Sequence, residues 1–301
     1  MKAWKAESLL FLVTIIWGAT FMFTKLALDD ISPSLFLIMR LSLALFISLA
    51  FFGKYLFQNN KQLLIHGSVL GLLFAVGFIL QTYGLKYTSV SKSAFITGIT
   101  VAITPFVYFF VLKKPIGFWA KIGVLIASIG LYIFTNPDFN NLNIGDVFTL
   151  ASTFMWAFYI TLIDVFTKGK SGMAITSILV IMQFFVSTLV FTISFFLFDF
   201  SSFKLNFSES LLIALAFNGV LASFLVTFIH TALQRYTTPV KAALIFSLEP
   251  VFAGMFAIIF INEILSVREY IGGAILLSGV MVSELGVFLE PFFKKIGIMK
   301  G

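Results

Sequence analysis

The chain has 301 residues, 60% of them hydrophobic and 11% charged, with a mean hydropathy of +1.06 and no cysteine. No soluble domain hides that much apolar surface, and the missing thiols exclude disulfides and thiol catalysis. The net charge of +7 is too thinly spread for a nucleic-acid surface; basic loops against anionic lipid are its ordinary reading.

Apolar runs of about 20 residues recur along the chain, each long enough to cross a bilayer core of roughly 30 Å. Lipid requires backbone polar groups to be paired internally, so the runs predict helices. None shows the alternation of a membrane barrel. Ten spans are expected: 7–28, 33–52, 64–85, 91–112, 118–135, 145–167, 174–198, 209–232, 240–261 and 268–289. The fold class is therefore all-α integral membrane. The run after Met1-Lys2-Ala3-Trp4-Lys5 is too long for a signal peptide and no Ala-x-Ala-like site follows, so it reads as the first span. The loops are too short for an ATPase or sensor domain. With the N-terminus inside, Lys86, Lys92, Lys204 and Arg268 stand outside against fourteen Lys/Arg inside. That bias predicts a multi-pass protein of the cytoplasmic (inner) membrane with both termini cytoplasmic.

The chain also repeats itself. At an offset of 149, Thr82, Tyr87, Thr88, Lys92 and Ala94 meet Thr231, Tyr236, Thr237, Lys241 and Ala243. The same offset pairs Gly123 with Gly272 and Gly130 with Gly279, while an offset of 139 pairs Glu7 with Asp146, Trp17 with Trp156 and Lys25 with Asp164. Two halves are expected, 1–138 and 139–301. Five helices per half is an odd number, so the second half is inverted. The charges agree: Lys113-Lys114 ends the fourth span where Asn262-Glu263 ends the ninth.

These residues resemble the drug/metabolite transporter superfamily in its ten-helix EamA-type branch. The carriers of the resemblance are Trp17-Gly18-Ala19-Thr20-Phe21, Met39-Arg40, the stretch from Ala94 through Gly98 to Pro105, Gly145-Asp146 and Trp156-Ala157. The strongest stretch is Ala243 to Ala253 with Asn262-Glu263, and the run from Ile271 looks like the family's last helix. Lys113-Lys114 depart from the family's common Gly-Glu. The resemblance implies a secondary carrier without cofactor, its central cavity lined mainly by helices 1, 3, 4, 6, 8 and 9. It implies a small polar cargo, most plausibly an amino acid or derivative, with a preference for export; an importer or exchanger of S-adenosylmethionine or nucleotide-type cargo is the alternative.

Several side chains are candidates for that cavity. Ser93, Thr97, Thr100, Thr104 and Tyr108 share one face of the fourth span, which lines a cavity or serves interhelical hydrogen bonds. Thr14, Trp17, Phe21 and Thr24 form a similar line in the first span. Trp17 and Trp156 lie away from the interfacial belt where Trp usually collects and either stack cargo or pack; Tyr159 adds a hydroxyl. Glu249 lies near the midplane, where an unpaired carboxylate costs at least ~2.5–3.5 kcal/mol; it binds a cation, couples transport to protons, or is tied to Arg40. Phe246 is its neighbour, and Gln81 and His230 are repeat mates near the ends of the third and eighth spans, where they reach the cargo or serve capping or interhelical bonds. Arg40 and Gln183 read better as anchors between helices. Pro105 and Pro250, displaced by one turn between otherwise aligned spans, break the symmetry of the halves; their kinks are expected to help set the cavity's shape and, with Glu249, Arg40 and Asp164, to serve coupling or gating. Lys25 reads as a snorkelling side chain, Asp164 as a gate charge or the same, and Lys92 and Lys241 as interfacial anchors. Gly67-x-x-x-Gly71, Gly123-x-x-x-Ala127 and Gly272, Gly279 and Gly286 suit close helix packing, with the fifth and tenth helices pairing or supporting a homodimer.

Other classes fit less well. Gly169-Lys170-Ser171 lacks the earlier glycine of a P-loop, and His66 and His230 are too isolated for a metal site. An intramembrane enzyme needs a nucleophile beside its base, and Ser247 points about 200° away from Glu249 on a helix. A channel fits the apolar runs, but the repeat favours a carrier.

Overall fold

The computed structural model describes residues 1–58, 60–88, 90–135, 143–170, 172–261 and 266–295. Among the described residues the chain is helical almost throughout, with one isolated bridge between Ile31 and Leu205. The helices are α1 (Ala3–Ala27), α2 (Pro33–Phe52), α3 (Lys61–Tyr87), α4 (Val90–Gly98), α5 (Thr100–Leu112), α6 (Phe118–Thr135), α7 (Ile144–Thr167), α8 (Met173–Ser194), α9 (Glu209–Ala216), α10 (Val226–Leu233), α11 (Pro239–Phe246), α12 (Glu249–Ile261) and α13 (Val267–Lys295). A π-helical stretch, Phe217–Leu225, joins α9 to α10, and another, Phe195–Asp199, extends α8. Eight of the resulting rods are long and apolar enough to cross a bilayer; α6 and α13 carry shorter apolar stretches, Phe118–Phe134 and Tyr270–Ser283. Asn262-Glu263 lies outside the described residues.

Helix starts follow from local chemistry. Asn60, Ser208 and Thr238 each accept the free backbone N–H three residues on, Pro239 occupies the first turn of α11, and Asn143 with Asp146 forms a reciprocal capping box on α7. Burial is inverted relative to a soluble protein. Phe46, Phe106, Phe110 and Ile259 are turned outward, while Thr14, Ser152, Thr153, Gln183 and Asn218 are fully enclosed. An apolar exterior on this scale is a lipid-facing surface.

Helices α6 and α13 pack antiparallel through their glycines. A Cβ on Gly123 would stand 2.7 Å from the Gly279 carbonyl, and one on Gly130 would stand 2.9 Å from that of Gly272. Since Gly123 and Gly130 are the repeat mates of Gly272 and Gly279, these are one contact made twice, as a two-fold axis across the helices produces.

The breaks between α4 and α5 and between α11 and α12 are also mates. Ile99 N bonds Ile96 O at 3.1 Å, and Ala102 and Ile103 N bond Ile99 O at 2.9 and 3.3 Å. At the offset of 149, Leu248 N bonds Ile245 O at 3.2 Å, and Val251 and Phe252 N bond Leu248 O at 3.0 and 3.2 Å. The expected break in symmetry is therefore corrected. The interruptions are in register, Pro250 opens α12 directly after its break, and Pro105 sits inside α5, clear of its own.

Adjacent glycines on α13 test the α6–α13 contact. A Cβ on Gly272 would land on the Phe134 backbone, whereas on Gly273 the nearest atom is 3.6 Å away. Gly272→Ala is expected to lower the melting temperature in detergent by several degrees, the scale of ~1–3 kcal/mol of overpacking; Gly273→Ala should move it little.

Candidate functional site

The two breaks meet at one central cavity. Trp17, Thr20, Arg40, Phe74, Phe78, Gln81, Thr97, Gly98, Thr100, Trp156, Tyr159, Ile160, His230, Ala243, Phe246, Ser247 and Glu249 line it. The space open to the centres of water-sized molecules is about 70 Å³, several times the ~10–15 Å³ that one water needs. A smaller recess shares Thr20, Arg40, Phe78 and Gln81 with it and runs on to Phe21, Thr24, Thr82 and Leu85.

Repeat mates face each other across this space. Trp17 and Trp156, Gln81 and His230, Thr97 and Phe246, Gly98 and Ser247, and Thr100 and Glu249 all belong to the lining. Their chemistry differs from side to side. The first half offers amide and hydroxyl groups: Gln81 Nε2 donates to Thr97 Oγ1 at 3.0 Å, and Thr100 Oγ1 donates to Thr97 O at 2.6 Å beside the break. The second half offers an imidazole, a phenyl ring and a carboxylate.

Aromatic rings enclose the cavity in two groups. Trp17, His230 and Phe246 stand edge to face with centroids 5.0–5.4 Å apart. Phe74 and Phe78 stand edge-on to Trp156 at 5.7 and 5.0 Å. Tyr159 bridges the groups, 5.8 Å from His230 and 6.0 Å from Trp156. The π-helical stretch supplies further anchors: Ala222 O accepts from Trp17 Nε1 at 3.4 Å, and Ser223 Oγ accepts from Arg40 Nε at 2.7 Å. Such stretches often mark functional sites.

Two ionisable side chains face this space. Arg40 is 2% exposed, with its guanidinium carbon 4.5 Å from the centre of the Phe78 ring. Glu249 starts α12, and among the described residues its carboxylate has neither an ion-pair nor a hydrogen-bond partner. The expected Arg40–Glu249 tie is not formed, and Gln183 pairs with Tyr159. Pairing Arg40 with Ser223 leaves both charges turned to the cavity.

Other expected positions lie elsewhere. Thr104 is enclosed and bonds Thr100 O at 2.8 Å; Tyr108 and Pro105 sit farther along α5, outside the lining. Phe21 lines only the recess, and Pro250 packs behind the wall, 3.3 Å from a Cβ placed on Gly98. Asp164 pairs with Lys168 at 3.2 Å. Lys25 does not snorkel: its Nζ donates to Leu85 O and Thr88 O at 2.7 and 2.9 Å. Lys92 and Lys241 are ion-paired, to Asp146 and Glu7. Among the described residues no three His, Asp or Glu side chains gather as metal ligands.

Thr20, Phe74, Phe78 and Ile160 were not singled out by sequence. Each lies three or four residues from one that was, or, for Phe74, seven, and so shares its helical face. Ser247 and Gly98 are mates at the offset that defines the repeat.

Comparison with known proteins decides the family. The pattern of the EamA-like transporter family matches residues 4–136 and again 143–285. The chain belongs to the EamA-like transporter family. A protein of Archaeoglobus fulgidus named as an uncharacterized transporter is 29% identical over 95% of this chain and 88% of its own length. A Chlamydia muridarum protein named as an S-adenosylmethionine/S-adenosylhomocysteine transporter is 33% identical over 41% of this chain and 39% of its own. A solved crystal structure superposes with a TM-score of 0.72 over 93% of this chain and 98% of that one, at 14% identity; it shares the fold. The protein is thus a multi-pass membrane transporter.

Two threonines one turn apart separate cavity from wall. Thr100→Val is expected to weaken cargo binding by about two- to tenfold, the value of one lost hydrogen bond. Thr104→Val, an equal change outside the lining, should leave it within about twofold. Apparent affinities from counterflow in proteoliposomes check both.

Proposed function

We propose that this EamA-type protein is a secondary carrier of zwitterionic amino acids or their close derivatives, working by alternating access. The observation that carries the reading is the pair of opposite charges, Arg40 and Glu249, that line one aromatic cavity without bonding each other. An α-carboxylate suits the planar fork of Arg40. An α-ammonium suits Glu249, and the rings of Trp17, Trp156 and Phe246 accept an apolar or aromatic side chain. Neither charge is stable alone at membrane depth, so a dipolar guest is favoured over a singly charged one.

In this reading residues 1–138 and 139–301 are the inverted halves that rock about the cavity. The helix breaks at its wall and the antiparallel mates α6 and α13 support it. The end of the bundle that bears the N-terminus is taken as cytoplasmic, from the Lys/Arg bias, and export as the working direction. A second cargo has its own support. The aromatic enclosure suits a sulfonium and a purine ring, and the Chlamydia relative is named for S-adenosylmethionine.

Counterflow in proteoliposomes with labelled amino acids and S-adenosylmethionine tests the proposal. Exchange of a zwitterion is expected, with Glu249→Gln and Arg40→Lys each lowering it at least about tenfold, the loss of one charge-assisted contact. Exchange confined to uncharged compounds, or full activity in Glu249→Gln, would sink the zwitterion reading.

A further inference from the structure

Beyond the cavity, two charged clusters join the halves at opposite ends of the bundle. On the face remote from the N-terminus, Asp146 is 2% exposed and accepts from Lys92 Nζ at 2.6 Å, Thr88 Oγ1 at 2.8 Å and Asn143 N at 2.9 Å. On the N-terminal face, Glu7 is 8% exposed and accepts from Thr237 Oγ1 at 2.8 Å and Lys241 Nζ at 3.4 Å. The repeat turns one cluster into the other: Lys92 and Thr88 become Lys241 and Thr237, and Asp146 becomes Glu7. Each cluster spans the two halves, α7 against the α3–α4 corner and α1 against the start of α11. A lysine braces each corner from its own half. Lys25 holds the Thr88 carbonyl, and Lys168 holds that of Thr237 at 3.0 Å.

The recess leading off the cavity ends at Leu85, whose carbonyl also accepts from Lys25. Both clusters are formed at once in this structure, so the halves have parted at neither end. Rocking of the halves about the axis between them moves mated contacts in opposite senses, so one cluster closes as the other parts.

We propose that Lys92–Asp146 and Lys241–Glu7 are the two gates of the cavity, each parting as it opens to its own face. Their burial gives the coupling its strength. A carboxylate so enclosed keeps its donors until water replaces them, and water reaches it only on the open side. The proposal rests on the alternating-access reading.

The chain has no cysteine, so Ser247→Cys, a near-isosteric change on the cavity wall, provides a single reporter. Its reaction with a membrane-impermeant maleimide is followed in right-side-out and inverted vesicles, with sidedness set by protease access to an N-terminal tag. Asp146→Asn is expected to speed labelling from the far face by roughly fivefold or more, the lower end of conformational couplings, without speeding it from the N-terminal face. Glu7→Gln should do the reverse. Exchanging the charges, Lys92→Asp with Asp146→Lys, should restore the slow rate. Should a carboxamide variant not give a monodisperse protein, Lys92→Met and Lys241→Met part the same pairs. Unchanged rates, acceleration from both faces by one variant, or no restoration by the exchange would overturn the gates. Fast labelling of the parent from both faces at once would overturn alternating access itself, and the gates with it.

Discussion

In lipid, every backbone polar group must find its partner inside the protein, and this constraint shapes the rest of the structure. The threonine stripe of α4 and α5 shows how it is met. Thr97, Thr100 and Thr104 each return their hydroxyl proton to a carbonyl three or four residues earlier. A continuous helix needs no such help, but one interrupted at Ile99 does. At the mated break, Pro250 has no N–H to offer the Phe246 carbonyl, and Ser247 donates to Leu244 O at 2.7 Å. Interrupted backbone is tolerated at membrane depth where it borders a cavity. The breaks and the cavity are therefore two aspects of one arrangement.

Duplication supplies the scaffold and divergence supplies the chemistry. Five pairs of mates line the cavity, so its walls approach two-fold symmetry in position. They depart from it in charge, since Thr100 faces Glu249 and Gln81 faces His230. In the proposed carrier, a symmetric frame would serve access from either face, and an asymmetric lining would orient a dipolar guest. The two charged clusters show the opposite balance, because a lysine, a threonine and an acid recur at both ends. The repeat is thus kept in the clusters that join the halves and lost in the lining between them.

The sequence made the fold legible because lipid writes its demand in composition and run length, and the repeat survives as glycines and lysines at fixed offsets. Of the site, it placed Trp17, Trp156, Gln81, His230, Phe246 and Glu249 on the cavity-lining helices; the structure brings them together. Thr104 and Tyr108 continue the face of Thr100 along α5 but lie past the end of the cavity, whose extent along a helix the spacing alone does not give. Pro105 drew attention as the cause of a kink, whereas the interruption follows the repeat rather than the proline. The π-helical stretch has no signature in Phe217–Leu225, and without it Ser223 could not be assigned as the partner of Arg40. The lysines were read by depth alone, which misses partners more than fifty residues away in the chain.

The separation of Arg40 from Glu249 is itself held by structure. Were the two to meet, they would satisfy each other, and the cavity would offer a neutral wall. Ser223 and the face of Phe78 hold the guanidinium on α2, and the break before α12 fixes the carboxylate at the start of a helix, where the backbone dipole favours a negative charge. Both charges then depend on what the cavity contains. A guest that satisfies the two together replaces solvent at both at once, and its transfer between faces does not leave either buried charge alone. A guest with one charge would leave the other uncompensated whenever the halves closed around it, at a cost of several kcal/mol. In the proposed carrier, the charge balance of the cargo would therefore matter while the halves are closed around it as well as at binding.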